Sequence, residues 1–306
     1  MIKATVTHLN SGRQLAESAI WAKSFGARGR GMIGRRFAGF DGMVFPRCGS
    51  VHTCMMGIPI DVLFVDDKGK VTAVHHSVKP WRAAGGKGGR TCIELPAGML
   101  DGVKVGDEVA VTTAASALQS EVKEGDLVFI ATPNLLYRRV AKSSGTWTSH
   151  IGFVYKHDDE DCYVAESTVP VARVTTFEKF VGRSDFAQFA VLRLKDPPDA
   201  DAMKNLRSHA DTLLGTPYNL WFNYDSNWQF CSKFVHDCYR ETLGVELGDL
   251  MTFGEILDMQ PEMPLIFWKL WYLGKLPLQK RTVTPAAQLE SPHLDMVHHD
   301  PGVSLS

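Results

Sequence analysis

Trp228-Gln229-Phe230-Cys231-Ser232-Lys233-Phe234-Val235 ends a turn-rich loop that begins at Thr216-Pro217-Tyr218-Asn219, and it opens an amphipathic helix that Gly244 closes after Leu243. Cys231, Phe234, Val235 and Cys238 fall at i, i+3, i+4 and i+7, the spacing of one buried face, with Lys233, Asp237, Arg240 and Glu241 mainly on the other. Cys231 lies in the first turn, where the helix dipole and free backbone N–H groups favour a thiolate. Cys238, two turns deeper, has no such help and reads as core. His236 is excluded as a partner for Cys231, because five positions along a helix turn it roughly 140° away. A base for this thiol has to come from another element.

Upstream, Gly125-Asp126-Leu127-Val128-Phe129 and Ser149-His150-Ile151-Gly152-Phe153-Val154 read as strands, the second with a His at its entrance. The pattern gives strands over residues 127–130, 147–155, 162–167 and 189–194, with an acidic turn at Asp158-Asp159-Glu160-Asp161. Helices follow over residues 199–214, ended by Gly215, and 231–243. The short connection after Tyr155 makes the strands of His150 and Glu166 antiparallel neighbours. Glu166 can then hold one imidazole nitrogen while the other faces the thiol. A single His at a strand end also serves as a satisfied structural histidine, and spacing alone favours that role.

With 306 residues, 44% of them hydrophobic and 22% charged, the chain has the length and composition of two globular domains. A net charge of −1 supplies no bulk field for nucleic acid or anionic lipid. Met1-Ile2-Lys3-Ala4-Thr5-Val6 lacks the apolar stretch of a secretory signal, and no apolar run approaches the roughly 20 residues that span a bilayer, so the expectation is a soluble, cytoplasmic protein. The cysteines, Cys48, Cys54, Cys92, Cys162, Cys231 and Cys238, form no compact disulfide framework. Cys48, His52, Cys54 and Cys92 would have to converge to hold zinc. Their Cys-x3-His-x-Cys spacing is not a usual ligand spacing, and no metal or other cofactor is expected.

Residues 1–112 alternate short β-like runs with Gly and Pro, as in Gly42-Met43-Val44-Phe45-Pro46 and Ile60-Asp61-Val62-Leu63-Phe64-Val65, with a hairpin turn at Asp67-Lys68-Gly69. This predicts a mostly-β barrel or sandwich. A Thr-, Ala- and Ser-rich stretch then makes 113–121 a linker and 122–306 a second, α+β domain. Arg28, Arg30, Arg35 and Arg36 read as a solvated basic edge in preference to a phosphate site. Gly85-Gly86-Lys87-Gly88-Gly89 lacks the phosphate-loop spacing and reads as a flexible hairpin tip.

The first domain resembles the domain-of-unknown-function 192 family through Arg28-Gly29-Arg30-Gly31-Met32-Ile33-Gly34-Arg35, Asp41-Gly42-Met43-Val44-Phe45 and His52-Thr53-Cys54-Met55-Met56-Gly57-Ile58-Pro59-Ile60-Asp61-Val62-Leu63-Phe64. Lys79-Pro80-Trp81-Arg82, Glu94-Leu95-Pro96-Ala97-Gly98 and Val105-Gly106-Asp107 extend the resemblance, which implies no agreed activity.

In the second domain Gly-Asp-Leu-Val-Phe, Ser-His-Ile-Gly-Phe-Val, Ala-Glu-Ser, Gly-Thr-Pro-Tyr-Asn and Phe-Cys-Ser-Lys-Phe-Val occur in that order between residues 125 and 235. They resemble the circularly permuted, YiiX-like branch of the NlpC/p60 papain-like superfamily, in which His precedes Cys. The resemblance implies Cys231 as nucleophile, His150 as general base, Glu166 as the residue orienting it, and Tyr218 as a substrate-pocket residue. The Cys231 backbone N–H would donate to the oxyanion. Phe230 stands where relatives often carry Tyr.

The implied protein is a cysteine hydrolase acting on a peptide, N-acyl or lipid-like substrate through an acyl-enzyme, or an acyltransferase using the same site. Met263-Pro264-Leu265-Ile266-Phe267-Trp268-Lys269-Leu270-Trp271-Tyr272-Leu273 is either a helix covering the core or a lid that contacts a membrane or an acyl chain. From a different class, a non-catalytic binding protein would carry the same β domain and an unused thiol.

Overall fold

The computed structural model describes residues 2–22, 31–158 and 161–301, which leaves Arg28, Arg30, Asp159 and Glu160 outside the described residues. The chain divides between Ser120 and Glu121 into two units.

The first unit is strand-rich. β1 (Ile2–His8), β2 (Arg13–Trp21), β3 (Met43–Pro46), β5 (Ile60–Val65), β6 (Val71–Val78), β8 (Thr91–Pro96) and β9 (Val109–Thr113) form, among the described residues, a sheet in the order β6-β5-β8-β3-β2-β1-β9. β4 (Ser50–His52) pairs with β7 (Ala83–Gly85) beside it. Every pairing in the larger sheet is antiparallel except β2 with β3, and bulges in β2 and β6 help bend the sheet into half of a barrel. In β1 the alternation Ile2, Ala4, Val6, His8 buries one side of the strand, as a half-buried strand requires. Leu15, Val44, Leu63, Ile93 and Leu95 join Val6 in the core. The β5–β6 turn is set by Asp66, whose Oδ1 accepts the Lys68 and Lys70 N–H groups at 2.9 Å each, with Gly69 at φ +80.

Two expectations for this unit are corrected. Arg35 is buried, with its guanidinium donating to the Gly31 carbonyl at 3.1 Å, whereas Arg36 is exposed. The glycine run is packed close: a Cβ at Gly86 would lie 2.5 Å from that of Phe64, so the turn sits against the sheet where only glycine fits. Cys48, His52, Cys54 and Cys92 do not gather as a ligand set, and among the described residues no three His, Cys, Asp or Glu side chains are placed to hold a metal ion. The stretch after β9 forms α1 (Ala114–Leu118), started by a capping box between Thr113 and Ser116.

The second unit is a mixed α/β body. Its sheet, again among the described residues, runs β13-β12-β11-β10-β14-β17, from β10 (Leu127–Ile130), β11 (His150–His157), β12 (Cys162–Ser167), β13 (Ala172–Thr176), β14 (Phe189–Leu194) and β17 (Leu294–Asp300). Between these lie α2 (Leu135–Ser143), α3 (Phe177–Val181), α4 (Ala200–Leu213) and α5 (Cys231–Leu243). The short pair β15 (Met251–Thr252) and β16 (Arg281–Thr282) brackets α6 (Phe253–Met259) and α7 (Leu265–Trp271), and α8 (Pro285–Leu289) follows. Leu127, Phe129, Ile151 and Phe153 meet Leu206 of α4 and Phe234, Val235 and Cys238 of α5 in the main core. Phe153 stacks on Phe234 with ring centroids 6.0 Å apart. α5 thus enters the sheet with its N-terminus at the strand end that carries His150.

One reading of α5 fails. Lys233 and Asp237 are not solvated: every residue from Cys231 to Tyr239 is buried. The preceding loop folds over the far side of the helix. Tyr224 donates to Asp237 Oδ1 at 2.7 Å, Gln229 Nε2 donates to Oδ2 at 3.2 Å, and Lys233 pairs with the same carboxylate. Burial alone would raise the Asp237 carboxyl; the Lys233 ammonium and the Tyr224 hydroxyl outweigh it and hold the group below its usual range.

Candidate active site

Phe230 is the N-cap of α5, with extended backbone and no side-chain hydrogen bond to the first turn. The N–H groups of that turn are therefore left to whatever lies beside the Cys231 thiol. Two bonds fix the turn: Ser232 Oγ donates to the Val283 carbonyl at 2.8 Å, and Gln288 Nε2 donates to the Ser232 carbonyl at 2.9 Å. The Tyr218 loop is tied on both sides, by Tyr218 N–H to the Pro170 carbonyl at 2.9 Å and Asn219 N–H to the Gln229 carbonyl at 2.7 Å. This places the Tyr218 hydroxyl 4.0 Å from Cys231 Sγ.

His150 opens β11. Its Nε2 lies 2.6 Å from Glu166 Oε2 in β12, and both residues are buried. Nδ1 is the nitrogen left for the thiol, and it is buried with no other hydrogen-bond partner among the described residues. The imidazole is held between aromatic rings: it stacks on Phe180 of α3 at 5.5 Å between centroids and meets the edge of Tyr137 of α2 at 5.7 Å. Gly152 makes room for that stack. A Cβ there would come 2.7 Å from the Ala165 carbonyl and 3.1 Å from the Phe180 ring.

Glu166 is surrounded by cations. Arg183 donates to Oε2 at 2.6 Å and Arg173 Nε to Oε1 at 3.4 Å. Burial would raise this carboxyl, but the His150 and Arg183 contacts win and hold it near 2. It is therefore ionised at neutral pH. Burial would lower His150; Cys231 and Glu166 together outweigh it and raise the imidazole above its ordinary value. For Cys231, burial again opposes, and the His150 side chain, the Ile151 backbone and the Tyr218 hydroxyl pull the thiol below its ordinary value. Burial drives other cysteines the opposite way: Cys92 and Cys238 are raised, and Cys162 is pushed up to about 12. The thiol is shifted down and the imidazole up, the directions that ease proton transfer from Cys231 to His150.

Cys231 also lines the wall of an apolar pocket, with Phe222, Phe230, Phe253, Trp268 and Tyr272. α7 is one side of it. Trp268 is buried, and its indole N–H donates to Ser143 Oγ at the end of α2 at 2.7 Å. The outer side of α7 and the turn that follows it present Ile266, Leu270 and Leu273 at 80%, 74% and 86% exposure. Residues 264–273 therefore cover the pocket on one side and leave an aliphatic row on the other.

The sequence-derived residues Cys231, His150, Glu166 and Tyr218 are brought together. Tyr137, Phe180, Arg173 and Arg183 complete the arrangement, and no motif or spacing marks them. Asn134, whose side chain accepts the Tyr137 N–H at 3.0 Å, is an N-cap that would have marked α2 and placed Tyr137. His236 is elsewhere, with Nδ1 3.0 Å from the Leu247 carbonyl.

Comparison with known proteins fits this geometry. Residues 6–111 match the domain-of-unknown-function 192 family, described as uncharacterised. An uncharacterised protein, YiiX of Escherichia coli strain K12, is 23% identical over 189 residues, covering 62% of this chain and 92% of YiiX. The crystal structure of a metalloprotein, yiiX from Escherichia coli O157:H7, superposes with a TM-score of 0.54 at 22% identity, over 58% of this chain and 97% of that one. Among the described residues of this chain no three His, Cys, Asp or Glu side chains are placed to hold a metal ion, and His150 Nε2 is engaged with Glu166. Residues 121–298 match the family described as permuted papain-like amidase enzyme, YaeF/YiiX, C92 family, and on that match the chain belongs to it.

Proposed function

We propose that the second unit is a cysteine amidase for N-acyl substrates with an apolar acyl group, working through Cys231, His150 and Glu166. The supporting observation is the buried Cys231–His150–Glu166 line opening on an apolar pocket. The Cys231 thiolate adds to the amide carbonyl, forming a C–S bond, while the first-turn N–H groups of α5 receive the oxyanion. The His150 imidazolium gives its proton to the leaving nitrogen, the C–N bond breaks, and an acyl-enzyme remains. The neutral imidazole then takes a proton from water, the hydroxide adds to the thioester, and the thiolate leaves with release of the acid. Glu166 stays charged throughout and stabilises the imidazolium. An alcohol or amine in place of water makes the same cycle an acyl transfer.

The test is alkylation of Cys231 by iodoacetamide across pH, paired with hydrolysis of N-acyl p-nitroanilides of increasing chain length. Wild type is expected to react fast near pH 6 and His150→Ala at least about tenfold more slowly, with kcat/KM rising with chain length. An ordinary thiol profile in both proteins overturns the proposal.

A second reading, action on acyl lipids at a surface, is favoured by α7. Its outer row of Ile266, Leu270 and Leu273 is flanked by exposed Lys269, Lys275 and Lys280, the composition of an element that lies on an anionic interface. Among the described residues no helix is long and apolar enough to cross a membrane.

A further inference from the structure

The first unit carries a polar group that the chemistry above does not use. Glu94 sits mid-strand in β8, its neighbours across the sheet being Met43 on one side and Val62 on the other. The residue is 4% exposed, and its Oε2 is buried with no hydrogen-bond partner among the described residues. It faces a cavity of about 170 Å³ lined by Met32, Phe45, Val51 and Met56, with Cys48 and His52 also at its wall. Among the described residues no Lys or Arg lines this cavity. Cys48 is already engaged, with its thiol donating to the Ser50 carbonyl at 3.2 Å.

A carboxyl in such a place is costly in either state. Ionised, it is a buried charge without a counter-ion among the described residues; neutral, it leaves a buried oxygen unmatched. Burial pushes its pKa to about 8, so it is mainly protonated at neutral pH. A positively charged donor offsets both costs at once: it takes the place of the carboxyl proton and matches the unpaired oxygen. The rest of the wall defines that partner further. Two thioethers and an aromatic ring are polarisable, electron-rich surfaces that suit an alkylammonium group and its hydrocarbon. An anion is repelled once Glu94 ionises. The volume limits the ligand to a few heavy atoms.

We propose that the N-terminal unit binds a small alkylammonium ion, its charge paired with Glu94 and its alkyl part packed on Met32, Phe45 and Met56. Binding ionises Glu94, so the carboxyl proton leaves to solvent as the ammonium enters. The cavity is thus a site of its own, whose occupant is read by charge at one end and by size along the wall.

The experiment is calorimetric titration of n-butylammonium chloride into the full-length protein at pH 7, in two buffers of different ionisation enthalpy. Saturable binding with a proton released per ligand is expected, weakened at least about tenfold in Glu94→Gln. Val51→Trp, which keeps the carboxyl and fills the cavity from the short β4–β7 pair, is expected to weaken it to the same degree. n-Butanol, the uncharged isostere, is expected not to bind. Absence of saturable binding, equal binding by either variant, binding of n-butanol as tight as that of the ammonium, or competition by Zn2+ for the same site would each overturn the proposal.

Discussion

Glu166 shows how one side chain's surroundings set the behaviour of two others. It has no exposure, and burial alone would raise it, yet His150 and Arg183 hold it near 2 instead of 4.5. Because its folded-state pKa is depressed, the stability it contributes is complete above pH 4.5 and is lost as pH falls from there toward 2. At about 1.4 kcal/mol per pKa unit this amounts to a few kcal/mol. Glu166→Gln is therefore expected to be less stable at neutral pH and to show a shallower loss on acidification, measured by urea unfolding between pH 3 and 7. An unchanged acid limb would mean that the carboxylate is not the group responsible. At this scale the sequence was informative: a thiol in a first turn, a His at a strand entrance and a Glu on the next strand are local signals. Arg183 was not legible, because its role depends on α3 folding back over β11 and β12, which no spacing records.

Among the elements, α5 and α7 show opposite limits of periodicity. The apolar spacing of α5 located its core face, but the assumption that solvent lies opposite failed where Tyr224 and Gln229 cover Lys233 and Asp237. For α7 the composition suggested either a core cover or an interfacial segment, and the helix has both faces: Trp268 inward, and Ile266, Leu270 and Leu273 outward. Each buried Leu or Ile contributes on the order of 1.5 kcal/mol or more, so the outer row is enough to matter at an interface. Replacing all three with Asp is expected to lower partitioning onto anionic phosphatidylglycerol vesicles by at least about tenfold, while wild-type α7 is protected from proteolysis by the same vesicles. Equal cleavage with and without vesicles would remove the surface reading and leave the soluble-amide reading untouched. α2 was missed as an element, although its Asn134 cap is a local signal; nothing in its sequence states that Tyr137 ends on an imidazole.

For the whole molecule, the two units respond to pH with opposite signs. Glu166 in the second loses stability toward acid. Glu94 in the first is raised from 4.5 to about 8, so the folded state retains a proton that the unfolded chain has lost. Stability from this group is therefore full below pH 4.5 and declines as pH rises toward 8. Glu94→Gln is expected to flatten the neutral-to-alkaline decline in calorimetric unfolding between pH 5 and 9, and an unaltered slope would assign the decline to another group. The two-unit architecture was readable from the change in composition near residue 113. The cavity at Glu94 was not, since it needs β8 flanked by β3 and β5 and covered by the residues around Met56. Within the second unit, Trp268 is hydrogen-bonded to Ser143, at one end of α2, and Tyr137 near the other end leans on His150. One nine-residue helix thus ties the outer wall of the pocket to the imidazole that faces the thiol.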